Sequence, residues 1–403
     1  MNKKFVSSFL PCLILLFTTG CWDRVEIEER GFTIGVTVDL TENDRKSDSE
    51  EQKQFAVMHQ IVVPGAFGGS GQGNGTDKKP FFNVIAEGNT IFHALRGLAG
   101  ETSRTPYYEH LKIIILSEEI ARSEKLANSL DLFIRDHEMR RGTKVMIADG
   151  KAQDIFDVTP PNEKLPVMYI DSVVDNAKKN ARMLEKVRIG DVHEFLLEGQ
   201  SFALPRISKH DQDNVKITGA AIFQGKSNKL VGFLKETETI GLNFMTGKVK
   251  SGVLETFIND DLIAYEIKEA SRKIKADVND KENMNFTINI ETEGNMGEAY
   301  IGQNFLNQET IANLEKEVEK EIERLAKETV KKLQNDFKVD VIGLGNHLRQ
   351  THYPTWKTIE NNWDYGKNYF VESNIEVKAN VTIRRIGAVD QTKSTTIPLE
   401  MRE

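Results

Sequence analysis

Ile113-Ile114-Ile115, at the centre of the run Leu111–Leu116, narrows the choice of fold more than any other stretch of the chain. A strand with one wet face alternates apolar and polar residues. A strand that is apolar at every position has to be covered on both faces, as in sheets with helices on either side. The flanking segments supply such helices. A helix beginning near Asn89 or Thr90 places Ile91, Leu95 and Leu98 at helical spacing, and Ala127–Arg135 forms another before the strand Lys144–Ala148. Alternating helices and strands predict an α/β domain.

Upstream, Gly31–Leu40 alternates with Phe32, Ile34, Val36, Val38 and Leu40 in phase, the period of a half-buried strand, and Phe55–Val63 is a second strand. Thr41–Lys53 reads as a solvated loop. Gly65–Gly75 is rich in glycine but is followed by no Gly-Lys-Ser/Thr and no helix, so it reads as a strand connection and not as a phosphate cradle. Pro160-Pro161 marks a break, and Val167–Leu184 and Val192–Leu197 predict further helices of the same domain. We place the end of this N-terminal α/β domain, residues 22–205, at Leu204-Pro205.

Residues 206–403 change texture, to an α+β region with mixed sheets and one long amphipathic helix. Ile217–Phe223, the turn Gln224–Asn228 and Lys229–Leu234 read as a hairpin. Strands follow at Leu262–Ile267 and Phe286–Ile290, and a split near residue 259 would separate a small middle domain from a terminal one. From about Gln308 to Phe337, Ile311, Leu314, Val318, Ile322, Leu325 and Leu333 recur by threes and fours. Their mean spacing suits a straight helix across a sheet better than a coiled coil. Asn307 is the candidate N-cap, Glu323–Lys327 and Glu328–Lys332 are supportive spacings of four, and Glu321 and Lys332 are expected towards solvent. A strand through Ile375, Val377, Val381 and Ile383 closes the chain.

The first residues speak to location. Lys3 and Lys4 precede the apolar stretch Phe5–Phe17, too short for a permanent span, so residues 1–20 read as a signal peptide. Thr19-Gly20-Cys21 then matches the site where a lipoprotein signal peptidase acts, although Thr18 stands where Leu is usual. A diacylglyceryl group on Cys21 would hold the mature chain to a membrane, two acyl chains sufficing where one is marginal. The competing reading is an ordinary secretory signal with Cys21 beyond the cleavage site. Cys12 leaves with the signal, so the mature chain carries one cysteine and can form neither an internal disulfide nor a cysteine metal site. Loss of Lys3 and Lys4 takes the formal charge from −8 to −10; so acidic a body gains nothing from an anionic membrane surface or from nucleic acid, which leaves attachment to the lipid.

The chain shows no motif of catalysis or metal binding. The eight histidines are scattered, with no His-Glu-x-x-His, and no Ser-x-x-Lys occurs. His137-Glu138 and His193-Glu194 are adjacent pairs that cannot share a helix face, so they read as surface residues. Arg135, Arg140 and Arg141 could meet an anionic partner, but Asp131, Asp136 and Glu138 beside them favour local ion pairs. We therefore expect no enzyme, no cofactor and no metal.

Several segments together carry a resemblance. Gly20-Cys21-Trp22-Asp23-Arg24, Glu87–Arg96, Tyr108–Ile114, Phe133–Arg141, Thr218–Phe223 with Lys229–Gly232, and Tyr353-Pro354-Thr355-Trp356 followed by Trp363 are similar, in order, to the Ger(x)C family. These are the lipoprotein C subunits of bacterial spore germinant receptors. The resemblance implies a non-enzymatic subunit anchored through Cys21 to the outer face of the spore inner membrane. It also implies polytopic A-type and B-type subunits as partners in triggering germination. The alternatives are a solute-binding lipoprotein of an uptake transporter, which needs two similar lobes, and a tethered surface hydrolase, for which the residues are missing.

Overall fold

The computed structural model describes residues 26, 29–41, 54–67, 79–258, 261–299 and 308–385. In chain order, the first part contains β1 (Arg30–Leu40), β2 (Phe55–Val62), β3 (Phe81–Gly88), α1 (Ile91–Gly97), β4 (Thr105–Tyr107), β5 (Ile113–Leu116), α2 (Glu118–Arg122), α3 (Leu126–Arg135) and β6 (Lys144–Ala148). It continues with α4 (Pro166–Val174), α5 (Ile189–Glu198), β7 (Phe202–Lys209), β8 (Val215–Gln224) and β9 (Lys229–Leu234). Then come α6 (Glu236–Thr246), β10 (Gly252–Ile258), β11 (Asp261–Asp277), β12 (Asn285–Ala299), α7 (Gln308–Lys331), α8 (Leu344–Thr351), α9 (Tyr353–Ile359), α10 (Tyr369–Glu372) and β13 (Asn374–Arg385).

Among the described residues, nine strands form one mixed sheet in the order β3-β2-β1-β5-β6-β7-β8-β9, with β4 beside β1. The central strands β1, β5, β6 and β7 run parallel. Helices cover both faces, as the triple isoleucine requires. Ile114 and Leu116 join Ile91, Leu130, Phe133 and Val192 on one side, while Ile113 and Ile115 join Phe156, Val167 and Ile170 on the other. β1 is buried on both faces instead of being half-buried. A bulge between Thr33 and Gly35 breaks its simple alternation, so Ile34 packs in the layer opposite Val36 and Val38. Gly35 lets α4 approach: a Cβ there would lie 2.3 Å from a Val167 methyl and 2.8 Å from the Phe156 ring.

The helix expected over Val167–Leu184 ends at Val174 and gives way to a 3-10 turn, Asp175–Lys179. Asp175 is held there by Lys144 at 3.1 Å and Lys186 at 2.8 Å, and the Asn180 side chain accepts from the Arg182 N–H, turning the chain away. The sheet does not stop at Leu204-Pro205. Pro205 lies inside β7, and the hairpin β8–β9 extends the same sheet to Leu234.

Four strands in the order β10-β11-β12-β13 form the second sheet. β11 and β12 run far beyond the expected six and five residues, because their later positions are wet on one face and show no apolar run. The long helix α7 continues as a π turn, Lys332–Phe337, and stops where Lys338 adopts φ 58°. Leu314, Val318, Ile322, Leu325 and Leu333 face the core as the spacing predicts, and the helix lies across the sheet. Asn307 lies outside the described residues. Gly241 of α6 permits close crossing with α7, since a Cβ there would sit 2.3 Å from Thr329 Oγ1.

The charges on α7 take partners other than the expected Glu323–Lys327 and Glu328–Lys332. Arg324 takes Glu321 at 2.6 Å and Glu328 at 2.8 Å, and Lys332 takes Asp336 at 2.8 Å, so Glu321 and Lys332 are only partly exposed. Glu323 turns to the sheet instead. Its carboxylate accepts from the Ala379 N–H at 3.0 Å, Glu319 from Val381 at 3.1 Å and Glu315 from Ile383 at 2.8 Å. Three glutamates one helical turn apart thus meet alternate N–H groups on the outer edge of β13.

Candidate functional site

Two concavities are built by this arrangement. The first, about 740 Å³, lies at the carboxyl ends of β1, β5 and β6, where open α/β sheets place ligands. Asp39 ends β1 here and is 6% exposed. Its two oxygens accept the Ala152 and Gln153 N–H groups at 2.8 and 3.0 Å. Burial raises its pKa to about 6, the two N–H groups pulling the other way. Ser117 caps α2 by accepting the Ile120 N–H at 3.3 Å, and Arg122 is tied to Glu118 at 2.7 Å. Among the described residues the lining includes no histidine; its one serine, Ser117, shares the crevice with the carboxylates Asp39, Glu87, Glu118 and Glu119.

The second concavity, about 480 Å³, lies where the two sheets meet. Asp340 accepts the Gly343 and Gly345 N–H groups at 2.8 and 2.7 Å and the Trp363 indole N–H at 2.8 Å. Asp364 accepts from Ser201 at 2.5 Å and from the Asp340 N–H at 3.2 Å, while burial and the neighbouring Asp340 charge push its carboxyl up. Gln200 and Asn346 exchange amide hydrogen bonds at 3.1 and 3.0 Å, and Arg349 meets Glu198 at 3.3 Å. The Arg272 guanidinium donates to the carbonyls of Met245 and Ile342, and burial lowers its pKa. Polar groups here are spent on joining the α5–β7 loop to the segment 340–365. The cleft is a joint.

Cys21 lies outside the described residues. His137 is 95% exposed, 3.6 Å from Asp136, and His193 lines a small recess that also holds Arg141. Local pairing holds for Arg135, which meets Asp131 at 2.7 Å. Arg140 reaches Glu109 at 3.6 Å, and Arg141 donates to the Gly190 carbonyl at 3.4 Å. Among the described residues no group of three or more His, Cys, Asp or Glu is placed to hold a metal. Asp39, Asp340 and Asp364 were not singled out by the sequence. For Asp340 the close Gly343 and Gly345 were a usable signal, since a short acid-to-glycine spacing lets a carboxylate collect backbone N–H groups.

Residues 23–209 match the family model for the spore germination protein N-terminal domain, and residues 218–387 match spore germination B3/GerAC like, C-terminal. Spore germination protein B3 of Bacillus subtilis (strain 168) is 30% identical over 380 residues, 93% of this chain and 96% of that one. The chain belongs to the spore germination B3/GerAC family. This is the Ger(x)C resemblance seen in the sequence. Another family member, spore germination protein YndF of the same organism, is 29% identical over 96% of this chain and 98% of its own length. The crystal structure of the GerBC protein is similar with a TM-score of 0.59 at 25% identity, covering 88% of this chain and 99% of that one. The α/β part and the α+β part with its long helix are therefore the family fold. The unmatched residues 210–217 fall in the turn between β7 and β8 and the start of β8, inside the first sheet.

Proposed function

We propose that this chain is a lipid-anchored subunit of a nutrient germinant receptor, acting with polytopic A-type and B-type subunits at the outer face of the spore inner membrane. The observation that carries this reading is the match to spore germination proteins along almost the whole chain, 96% of it for YndF. Among the described residues no helix is long and apolar enough to cross a membrane, and we assign attachment to a diacylglyceryl group on Cys21. We assign no catalytic role: Asp340 is occupied by N–H donors, and in the crevice the Ser117 hydroxyl is spent on capping a helix. A solute-binding lipoprotein would close two like lobes on a cleft. Here a nine-stranded and a four-stranded sheet meet at a bonded joint.

Labelling cells with a radioactive fatty acid tests the anchor. The wild type should carry label and Cys21→Ala should not, and a labelled variant would refute the assignment. Purification from detergent-solubilised spore membranes should recover two polytopic proteins with the wild type. Recovery of transporter components in their place would refute the receptor reading.

A further inference from the structure

We infer that the rim of the first sheet at the amino ends of its parallel strands lies against the lipid headgroups, so that the crevice at their carboxyl ends opens away from the membrane. This rests on the proposed anchor at Cys21. Eight residues, or nine backbone steps, separate Cys21 from Arg30, the first residue of β1, and whatever their path they span at most about 32 Å. The ten steps of β1 from Arg30 to Leu40 cover about 33 Å. Only a tether stretched to its full reach back along β1 would bring Leu40 to the surface. The amino end is the end that stays near the membrane.

Backbone pairing gathers other residues on this rim. Arg30 is opposite Thr105 in β4, the Lys112 N–H donates to Ile34, and the Lys112 carbonyl accepts from Lys144 just after the turn that holds Arg140 and Arg141. Arg104, Lys112, Arg140 and Arg141 are exposed there, on a mature chain whose formal charge is −10. Acids stand among them: Arg140 pairs with Glu109, which the Tyr107 hydroxyl also holds, Asp136 accepts the Glu138 N–H, and Glu26, Glu29 and Glu101 are exposed beside Arg30 and Arg104. The Arg30 guanidinium stacks 4.0 Å over the half-buried Tyr107 ring, and Phe32, Tyr107 and His110 lie 5.7 to 6.3 Å apart. Tyrosine beside arginine suits the headgroup layer, where one end of the ring is apolar and the other wet. The headgroup layer of a lipid bilayer, with its mixed charges, is the partner this chemistry fits.

Because the anchor alkylates the only cysteine of the mature chain, single thiols can be introduced freely. Thr105→Cys and His137→Cys place a fluorophore on the rim, and Lys151→Cys places one beyond the carboxyl end of β6; all three positions are exposed. The lipidated chains are reconstituted in vesicles of phosphatidylcholine and phosphatidylglycerol carrying a nitroxide at headgroup level. Labels at 105 and 137 should be quenched several-fold more than the label at 151. Equal or reversed quenching in chains that float with the vesicles would overturn the orientation while leaving the anchor intact. Chains that do not float would remove the anchor and this inference with it.

Discussion

Asp39 shows how much a single buried carboxyl can report. Its pKa in the fold, about 6, stands above the ordinary 3.8, so the native chain binds this proton more tightly than the unfolded chain does. Its contribution to stability therefore grows as pH falls from about 6 to about 4 and is absent above that window, a swing on the order of 3 kcal/mol. His59 acts in the opposite sense. Fully buried beside the Tyr108 hydroxyl at 2.9 Å, it is pushed down to about 4, so the fold loses stability as pH drops from about 6.5 towards 4. The comparison that isolates Asp39 is the melting temperature of the wild type minus that of Asp39→Asn at each pH. The difference should shift in favour of the wild type between pH 7 and pH 4, and a flat line would mean that Asp39 is not a buried acid. Losing one acceptor for the Ala152 and Gln153 N–H groups adds only a pH-independent offset. Nothing near Asp39 in sequence announces this, since its partners lie 113 and 114 residues away.

The helix α7 separates what spacing reveals from what it hides. Its apolar stripe was legible because one face alone is buried, and Leu325→Ala should cost about 2 to 5 kcal/mol. Its glutamates were not legible, since Glu323 and Glu328 each stand four residues before a lysine. In the fold Glu323→Ala strands the Ala379 N–H at a sheet edge, at about 1 to 2 kcal/mol, whereas Glu328→Ala removes only an exposed ion pair worth under about 1 kcal/mol. Urea midpoints of the two variants should differ in that order; equal midpoints would mean that the carboxylate does not serve the strand. Among the elements that escaped the sequence reading, three did so for related reasons. β3 is an edge strand whose Phe82 and Ile85 are both exposed, so it lacks a clean alternation. α6 buries every residue from Thr239 to Met245 and so has no stripe. β10 mixes Val253 and Phe257, both exposed, with buried Leu254 and Ile258. The candidate sites were the least legible part, because both are assembled from loops that meet only after the sheets form.

At the scale of the whole molecule the hairpin β8–β9 matters most. Ala221, Phe223 and Leu230 pack in the core of the first sheet, while Ala220, Ile222 and Leu234, on the same two strands, pack in the core beneath the second. A fragment ending at Lys209 leaves β7 without its antiparallel partner, and one ending at Leu234 bares the other face of the hairpin. Neither should fold alone, and calorimetry of the full mature chain should show one unfolding transition; two resolved transitions would mean that the cores are independent. Two cores sharing a wall leave no seam along which the halves could swing. Held by a lipid at Cys21 as proposed, such a body would differ between a resting and a triggered state by tilting, turning about its leash or changing neighbours. Whatever message passes through it travels as a change of pose.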